Sequence, residues 1–287
     1  MLDLLTQAAP LWLLGSAIAA VAVAAARSPW RPVLAATAGL GLLASGALVT
    51  PELVRASPPA GPVAGAGGLR IIQINLGGAG LRRPEPAAAW LARQNPDLIF
   101  VDDSDAAFRA ALKRQGFGWT PGTALTGIAS RRPLARTPVV FSAEDWRTMP
   151  DMARARLQTP DGPADLIAVH LKRPLPGDVA DFGRRGVASL EDLSRRYDRR
   201  RLILAGDLNL TPWSFALRRL DRTLGLQRRD RAAFTWPARL LGAAWPAPVL
   251  PLDHLYAGPG WRTVKVFVGP PIGATHDPLI VDLAPTR

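Results

Sequence analysis

The feature that most constrains this chain is a recurring unit, a short aliphatic run that stops at a lone polar side chain. LILAGDLNLTPWS, from Leu202 to Ser214, is its fullest form. Leu202, Ile203 and Leu204 read as a buried strand, Gly206 ends it, and Asp207 and Asn209 follow in alternation with leucines. Thr211, Pro212 and Trp213 then break the strand and open a helix with Pro212 near its first turn. Alone, this stretch is equally a turn whose Asp and Asn cap backbone groups or a rigid support presenting a polar pair to a reaction site.

The unit repeats from Leu69 onward. Strands are expected at 70–76, 97–101, 126–130, 153–157, 164–170, 201–207, 252–258, 263–268 and 278–283, and helices near 85–95, 105–115, 179–199 and 213–222. Most of the strand runs are hydrophobic on both faces, which calls for helices outside the sheets. Two packed sheets with outer helices meet that requirement, an α/β architecture.

Before this region the pattern is different. Residues 4–26 carry no charge, nor do Pro32 to Thr50, and the turn RSPWR between them holds Arg27, Trp30 and Arg31. The first run has about the ~20 residues that cross a bilayer as a helix. A two-helix transmembrane anchor is therefore expected over 1–50, with the membrane contacted through residues 4–50. The arginines place the turn in the cytoplasm and the remainder outside it, on the extracytoplasmic side of a bacterial inner (cytoplasmic) membrane. The competing cleaved signal peptide lacks a basic start here and is followed by a second span. Residues 51–68, rich in Pro, Ala and Gly, read as a linker. One domain is expected over 69–287.

The chain contains no cysteine and only His170, His254 and His276, which excludes disulfides, thiolate zinc sites and histidine-rich metal clusters. Its net charge of +12 points to an acidic partner such as a phosphate ester, nucleic acid or anionic lipid, or to a general bias toward Arg. Asn75, Asp102, Asp103, His170, Asp207, Asn209 and Asp253 sit at or beside strand ends, and His276 just before the last strand. Each alone reads as a cap or a satisfied polar group. Together they form an oxygen-rich set that suits Mg²⁺ or Mn²⁺ better than zinc.

The motifs QINLGG, PDLIFVDD, GIASRRPL, AVHLKRP, GDLNLTPWS, PLDHLYAG and ATHDPLIVDL, in this order, resemble the endonuclease/exonuclease/phosphatase family, the DNase I-like metal-dependent hydrolases. The resemblance covers Leu69 to Leu283, and with the anchor and the TPW signature it is to the membrane-tethered bacterial members. It implies a four-layered α-β-β-α sandwich with the polar residues meeting at one end. It also implies roles. Asn75 and Asp103 lie at the metal, and His170 contacts the scissile phosphate. Asp207 and Asn209 position and help deprotonate the attacking water, and Asp253 orients the catalytic His276. The expected activity is phosphoester hydrolysis with Mg²⁺ or Mn²⁺, as a phosphodiesterase, nuclease or phosphatase acting on nucleic acid, phospholipid or a small phosphoester.

Two positions depart from the family. Asp103 stands where it has Glu, and Thr275 stands where it has an Asp before the histidine. They leave open a weakened member that binds phosphate-bearing ligands without turnover. Arg131, Arg132, Lys172 and Arg173 are candidates for attracting an anion or for a solvated surface. Gly77 to Glu85 and Thr235 to Pro251, with Trp236 and Trp245, are the candidate specificity loops. A pure nucleic-acid binder is the third possibility, but no recognition motif supports it.

Overall fold

The computed structural model describes residues 2–55, 67–78, 80–138, 150–173 and 178–286. Helices α1 (Leu2–Thr6), α2 (Ala9–Ala25) and α3 (Arg31–Val54) open the chain, and Pro10 and Pro32 fall in first turns, where a missing N–H costs nothing. α2 and α3 pack side by side, so closely that a Cβ on Gly41 would lie 2.2 Å from Ser16 Oγ. By length and composition α3 can cross a membrane, whereas α2, at 17 residues, is shorter. Two boundaries differ from expectation. The first apolar run breaks between α1 and α2 because Asp3 and Gln7 turn their polar groups onto the following domain. α3 runs on through Pro51 to Val54 because Glu52 is held there by that domain. The remainder of the expected linker, 56–66, lies outside the described residues.

The first sheet is built from β1 (Leu69–Asn75), β2 (Leu98–Asp102), β3 (Gly118–Pro121), β4 (Gly127–Ser130), β13 (Trp261–Val268) and β14 (Leu279–Pro285), in the order β13-β14-β1-β2-β4-β3. The second contains β5 (Leu134–Arg136), β6 (Asp151–Thr159), β7 (Gly162–His170), β8 (Ile203–Asp207), β9 (Gln227–Arg228) and β12 (Asp253–Ala257), in the order β5-β6-β7-β8-β12-β9. One neighbouring pair in each sheet is parallel, β1 with β2 and β7 with β8. The helices α4 (Pro84–Arg93), α5 (Ala106–Arg114), α6 (Asp178–Arg195) and α7 (Phe215–Thr223) form the connections, and a two-strand ribbon, β10 (Arg239–Leu240) and β11 (Ala243–Ala244), stands apart.

Strand alternation assigns the layers. Leu69 and Ile71, Leu98 and Phe100, Ala164, Leu166 and Ala168, Ile203 and Ala205, and Leu255 and Ala257 point inward and share one core between the sheets. Ile72, Ile74, Ile99 and Val101 point outward into a core with Leu91, Phe108 and Leu112 of α4 and α5. Leu204, Val169 and Tyr256 do the same with Leu190 of α6 and Leu217 and Leu220 of α7. Four layers, α-β-β-α, result. The short edge strands β3, β5 and β9 and the ribbon were absent from the sequence reading. GWTP and LAR are half-exposed or exposed, with none of the hydrophobic runs that mark the central strands. α7 also starts later than expected. Ser214 is its N-cap, accepting from Leu217 N–H, and Pro212 and Trp213 lie in the turn before it.

Candidate active site

The inward faces end in polar residues. On β1, Gln73 and Asn75 continue the face begun by Leu69 and Ile71. Asp102 continues Leu98 and Phe100, His170 continues Leu166 and Ala168, and Asp207 continues Ile203 and Ala205. Pairing brings these ends together, with Asn75 opposite Asp102 and Asp253 opposite Asp207. Burial of the flanking aliphatics holds the polar ends in place.

Asp207 is the hub. Its Oδ2 accepts from Asn75 Nδ2 at 2.8 Å, while His276 Nε2 and His170 Nε2 stand 3.6 and 3.8 Å away. Its Oδ1 accepts the backbone N–H of Asn209 at 2.8 Å, and Asn209 Nδ2 reaches Leu171 O at 2.8 Å. Asn209 sits at φ 50°, a left-handed conformation that Asn tolerates. Asp253 Oδ2 meets His276 Nδ1 at 2.7 Å and accepts from Thr235 Oγ1, while its Oδ1 takes Gln73 Nε2 at 3.3 Å. Asn75 Oδ1 accepts Gly77 N–H at 2.8 Å. Gly77 has φ 82°, and a Cβ there would come within 2.4 Å of Thr275, so the site is closely packed at that departure from the family.

Electrostatics follow from this packing. Burial pushes Asp207 above the usual carboxylate range and Asp253 adds to it, against the opposing pull of His276 and His170. Burial disfavours the His276 imidazolium, but Asp253, Asp207 and Asp102 outweigh it and raise the group to about 9. His170 is likewise raised, burial being outweighed by Asp102, Asp207, Asp103 and Asp151. Asp253 stays below its ordinary value despite burial because His276, Thr235 and Gln73 favour its charged form.

A strand continuing through Asp102 and Asp103 puts them on opposite faces, with only one of them able to serve the site. The structure ends the strand between them instead. β2 ends at Asp102, which is fully buried between the sheets and accepts from Gln73 Nε2 at 2.8 Å, Thr126 Oγ1 at 3.2 Å and Asp207 N–H at 2.9 Å. Burial raises its carboxyl to about 7. Asp103 leaves the strand at φ 56°, and the turn brings its Oδ1 to 3.6 Å from His170 Nδ1. Both carboxylates therefore act on His170, Asp103 at close range and Asp102 through its charge.

All seven residues singled out for catalysis or metal, Asn75, Asp103, His170, Asp207, Asn209, Asp253 and His276, lie at this one end. Arg131 and Arg132 do not. They follow Ser130, which pairs with Leu98 at the opposite end of β2, and they bind Asn95 Oδ1 and Gln158 O. Lys172 pairs with Asp151, the residue opposite His170, at 2.9 Å, and Arg173 is exposed. Gln73, Thr235 and His254 were missed as support residues, and Asp102, though in the candidate set, was given no role. Only Gln73 and Asp102 carried a signal, their position in step with the inward face. His254 faces outward from β12, bound to Asp230 Oδ2 at 2.7 Å and Leu210 O at 2.8 Å, and so steadies the turn after Asn209.

The donor set suits a hard cation. Asp207, Asp253 and His276 present ligand atoms within 4.8 Å of one another. Gln73 Oε1 and Asp277 Oδ1 are buried oxygens without a donor among the described residues, and a cation or its waters would satisfy them. Burial also raises Asp277 to about 6, with Asp253 contributing and His276 opposing.

The family model described as the Endonuclease/Exonuclease/phosphatase family matches residues 72–277, from the strand carrying Asn75 to just past His276. The chain belongs to that family. Among similar solved structures are an endonuclease/exonuclease/phosphatase from Beutenbergia cavernae and D. rerio TDP2 complexed with a single-strand DNA product. The first has 19% identity, covers 76% of this chain and 72% of its own, and gives a TM-score of 0.58. The second has 15% identity, coverage of 75% and 98%, and a TM-score of 0.55. Sphingomyelinase C from Streptomyces griseocarneus is similar at 17% identity, with coverage of 75% and 99% and a TM-score of 0.53. At these identities the likeness is one of fold. No curated protein matches the chain. Within this endonuclease/exonuclease/phosphatase domain the two sheets supply the site, and α1 to α3 lie outside the matched segment.

Proposed function

We propose that the protein is a membrane-anchored, divalent-metal-dependent phosphoester hydrolase. The observation that carries this reading is Asp207, buried between two raised imidazoles and tied to Asn75 and Asn209. With Oδ1 occupied by the Asn209 N–H, Oδ2 is the oxygen facing His170 and His276, where it can take a proton from water. Its raised pKa brings the base closer to the operating pH. Asp253 holds His276 Nδ1 and so keeps Nε2–H directed into the site, a cationic donor for negative charge developing on a phosphoryl oxygen. His170 supplies a second donor.

Asn75 and Asp103 are the residues that would hold Mg²⁺ or Mn²⁺, which would supply polarisation of the phosphoryl oxygen. His276 belongs to the buried cluster with Asp207 and Asp253 and is assigned to proton work, because the carboxylate at its Nδ1 favours the protonated ring. The hairpin of α2 and α3 serves as the membrane anchor, its outward residues Leu14, Ile18, Val21, Leu40 and Leu43 being exposed. The Arg27–Arg31 turn lies on the cytoplasmic side of a bacterial inner membrane and the domain on the other.

The test is hydrolysis of bis(4-nitrophenyl) phosphate and 4-nitrophenyl phosphate by the full chain in detergent, with Mg²⁺ or Mn²⁺ against EDTA. Metal-dependent turnover lost in Asp207→Ala and His276→Ala is the expected result. Asp103 and Thr275 motivate the second reading, a member that binds phosphate-bearing ligands without turnover. Phosphate-ester binding with no hydrolysis across both substrates would favour it.

A further inference from the structure

The helices outside the matched segment are bolted to the domain beside its site. Trp213, four residues past Asn209, is fully buried against Ala9 and Val49 and donates Nε1–H to Gln7 O at 2.7 Å. Gln7 Oε1 accepts Thr211 N–H at 2.7 Å, and Asp3 Oδ1 accepts the N–H of Phe215 at 2.6 Å at the start of α7. At the other helix, Glu52 forms a buried two-pronged pair with Arg228 at 2.8 and 2.9 Å. Read back along α3, contacts move from Arg228, which pairs with Tyr256, to Trp213, whose ring lies 6.2 Å from that of Phe234. Phe234 adjoins Thr235, the partner of Asp253. The hairpin is therefore seated beside the end of the sandwich that carries the site.

At that same end stands the β10–β11 ribbon. Ala238 N–H binds Thr275 O at 2.9 Å, which places the ribbon one residue from His276. Its turn is Leu241–Gly242, with φ 49° and 84°. Two left-handed residues make a turn that favours Asn or Asp first, and here a leucine takes the place, strained and 100% exposed. Leu240, Trp245 and Val249 are exposed beside it. At the ribbon's foot a cleft of about 250 Å³ is lined by Arg82, Arg83 and Arg239 with Leu81 and Ile272, joining the two loops expected to set specificity.

We infer that the docked hairpin and the Leu240–Leu241 tip hold the site against the bilayer, and that its substrate is an anionic phosphoester lipid of that bilayer, its headgroup received by Arg82, Arg83 and Arg239. This rests on the hydrolase reading above. Hydrolysis forms a P–O bond from the water oxygen and breaks the ester P–O bond, and the water proton ends on the departing alkoxide. The bilayer is favoured over nucleic acid because the surface beside the basic cleft is aliphatic, and because the anchor's contacts bring the site to the membrane face.

The test uses the full chain reconstituted in phosphatidylcholine vesicles carrying phosphatidylglycerol, phosphatidic acid and phosphatidylinositol. Bis(4-nitrophenyl) phosphate and a single-stranded oligonucleotide serve as soluble comparisons. The expected result is hydrolysis of an anionic lipid, with the ratio of lipid to soluble turnover falling by roughly tenfold or more in Leu240→Asp/Leu241→Asp and in Arg82→Glu/Arg83→Glu. Cleavage of soluble substrates with no lipid cleaved overturns the inference, as does a ratio unmoved by both variants. Absence of turnover on every substrate refutes the hydrolase reading instead. The seating then has its own readout, because the chain lacks cysteine and Leu241→Cys accepts a single environment-sensitive fluorophore. Blue-shifted emission in vesicles is expected, and emission typical of bulk water overturns the seating.

Discussion

The His276–Asp253 pair couples charge to acidity in a way that kinetics can read. His276 is protonated up to about 9, so hydrolysis should fall as pH rises beyond that value. Asp253→Asn removes the nearest carboxylate, and the alkaline limb should move to lower pH with kcat reduced roughly 10²–10⁴-fold. A pH–rate profile of the two proteins checks both. The same raised value contributes stability that is fully present below about 6.5 and is lost as pH rises through about 9. Asp102 acts in the same direction, unlike a carboxylate paired with a cation. Its value rises from 3.8 to about 7 on folding, so the folded state binds the extra proton and stability decreases as pH rises from the first value through the second. Asp102→Asn can keep acceptors for Gln73 and Asp207 N–H, and it should remove that slope. Denaturation midpoints measured across this interval would show the difference.

At the level of elements, the junction between α3 and β9 is a buried cluster of charges. Arg228 is buried with Glu52, Asp221 and Asp230 around it. Its guanidinium is raised far above its ordinary value, burial being outweighed by these carboxylates. Asp230 is depressed by His254 and Arg228 despite burial. Glu52→Met or Arg228→Met alone should destabilise by ~3–5 kcal/mol, whereas the double replacement should cost less, since no unpaired charge stays buried. Thermal unfolding of the four proteins in detergent measures the cycle. Asp230 also holds His254, which holds Leu210 O, so a chain of bonds links α3 to the turn bearing Asn209. Trp213→Ala opens the second contact and should cost ~3–5 kcal/mol.

For the whole molecule, α1 to α3 are bonded to the domain at Thr211, Trp213 and Arg228, so the proposed anchoring ties the orientation of the hairpin to that of the domain. A cysteine introduced at Ser28, in the Arg-flanked turn, should resist a membrane-impermeant thiol reagent in intact spheroplasts. One at exposed Arg222 on the domain should react. The reverse pattern would place the domain in the cytoplasm. Cysteine is otherwise absent, so each signal has a single source.

The central strands, the outer helices and the polar strand ends were legible in the sequence because burial on two faces writes unbroken aliphatic runs, and a polar residue that ends such a run stands out. Short edge strands such as β3 and β5 escaped because half-exposed backbone pairing leaves little hydrophobic signal. Asn75, Asp207, Asp253 and His276 could be picked out one by one from the chain. That Gln73 would join them and that Asp102 would bond to it depended on inter-strand register, and that Asp103 would turn back to His170 depended on a left-handed backbone at the strand end. Tertiary structure alone decided the meaning of TPW. Local sequence reads it as a helix start, whereas contacts across more than 150 residues make it the seat of the N-terminal helices. Periodicity records which face of an element is buried; it carries no record of which distant element buries it.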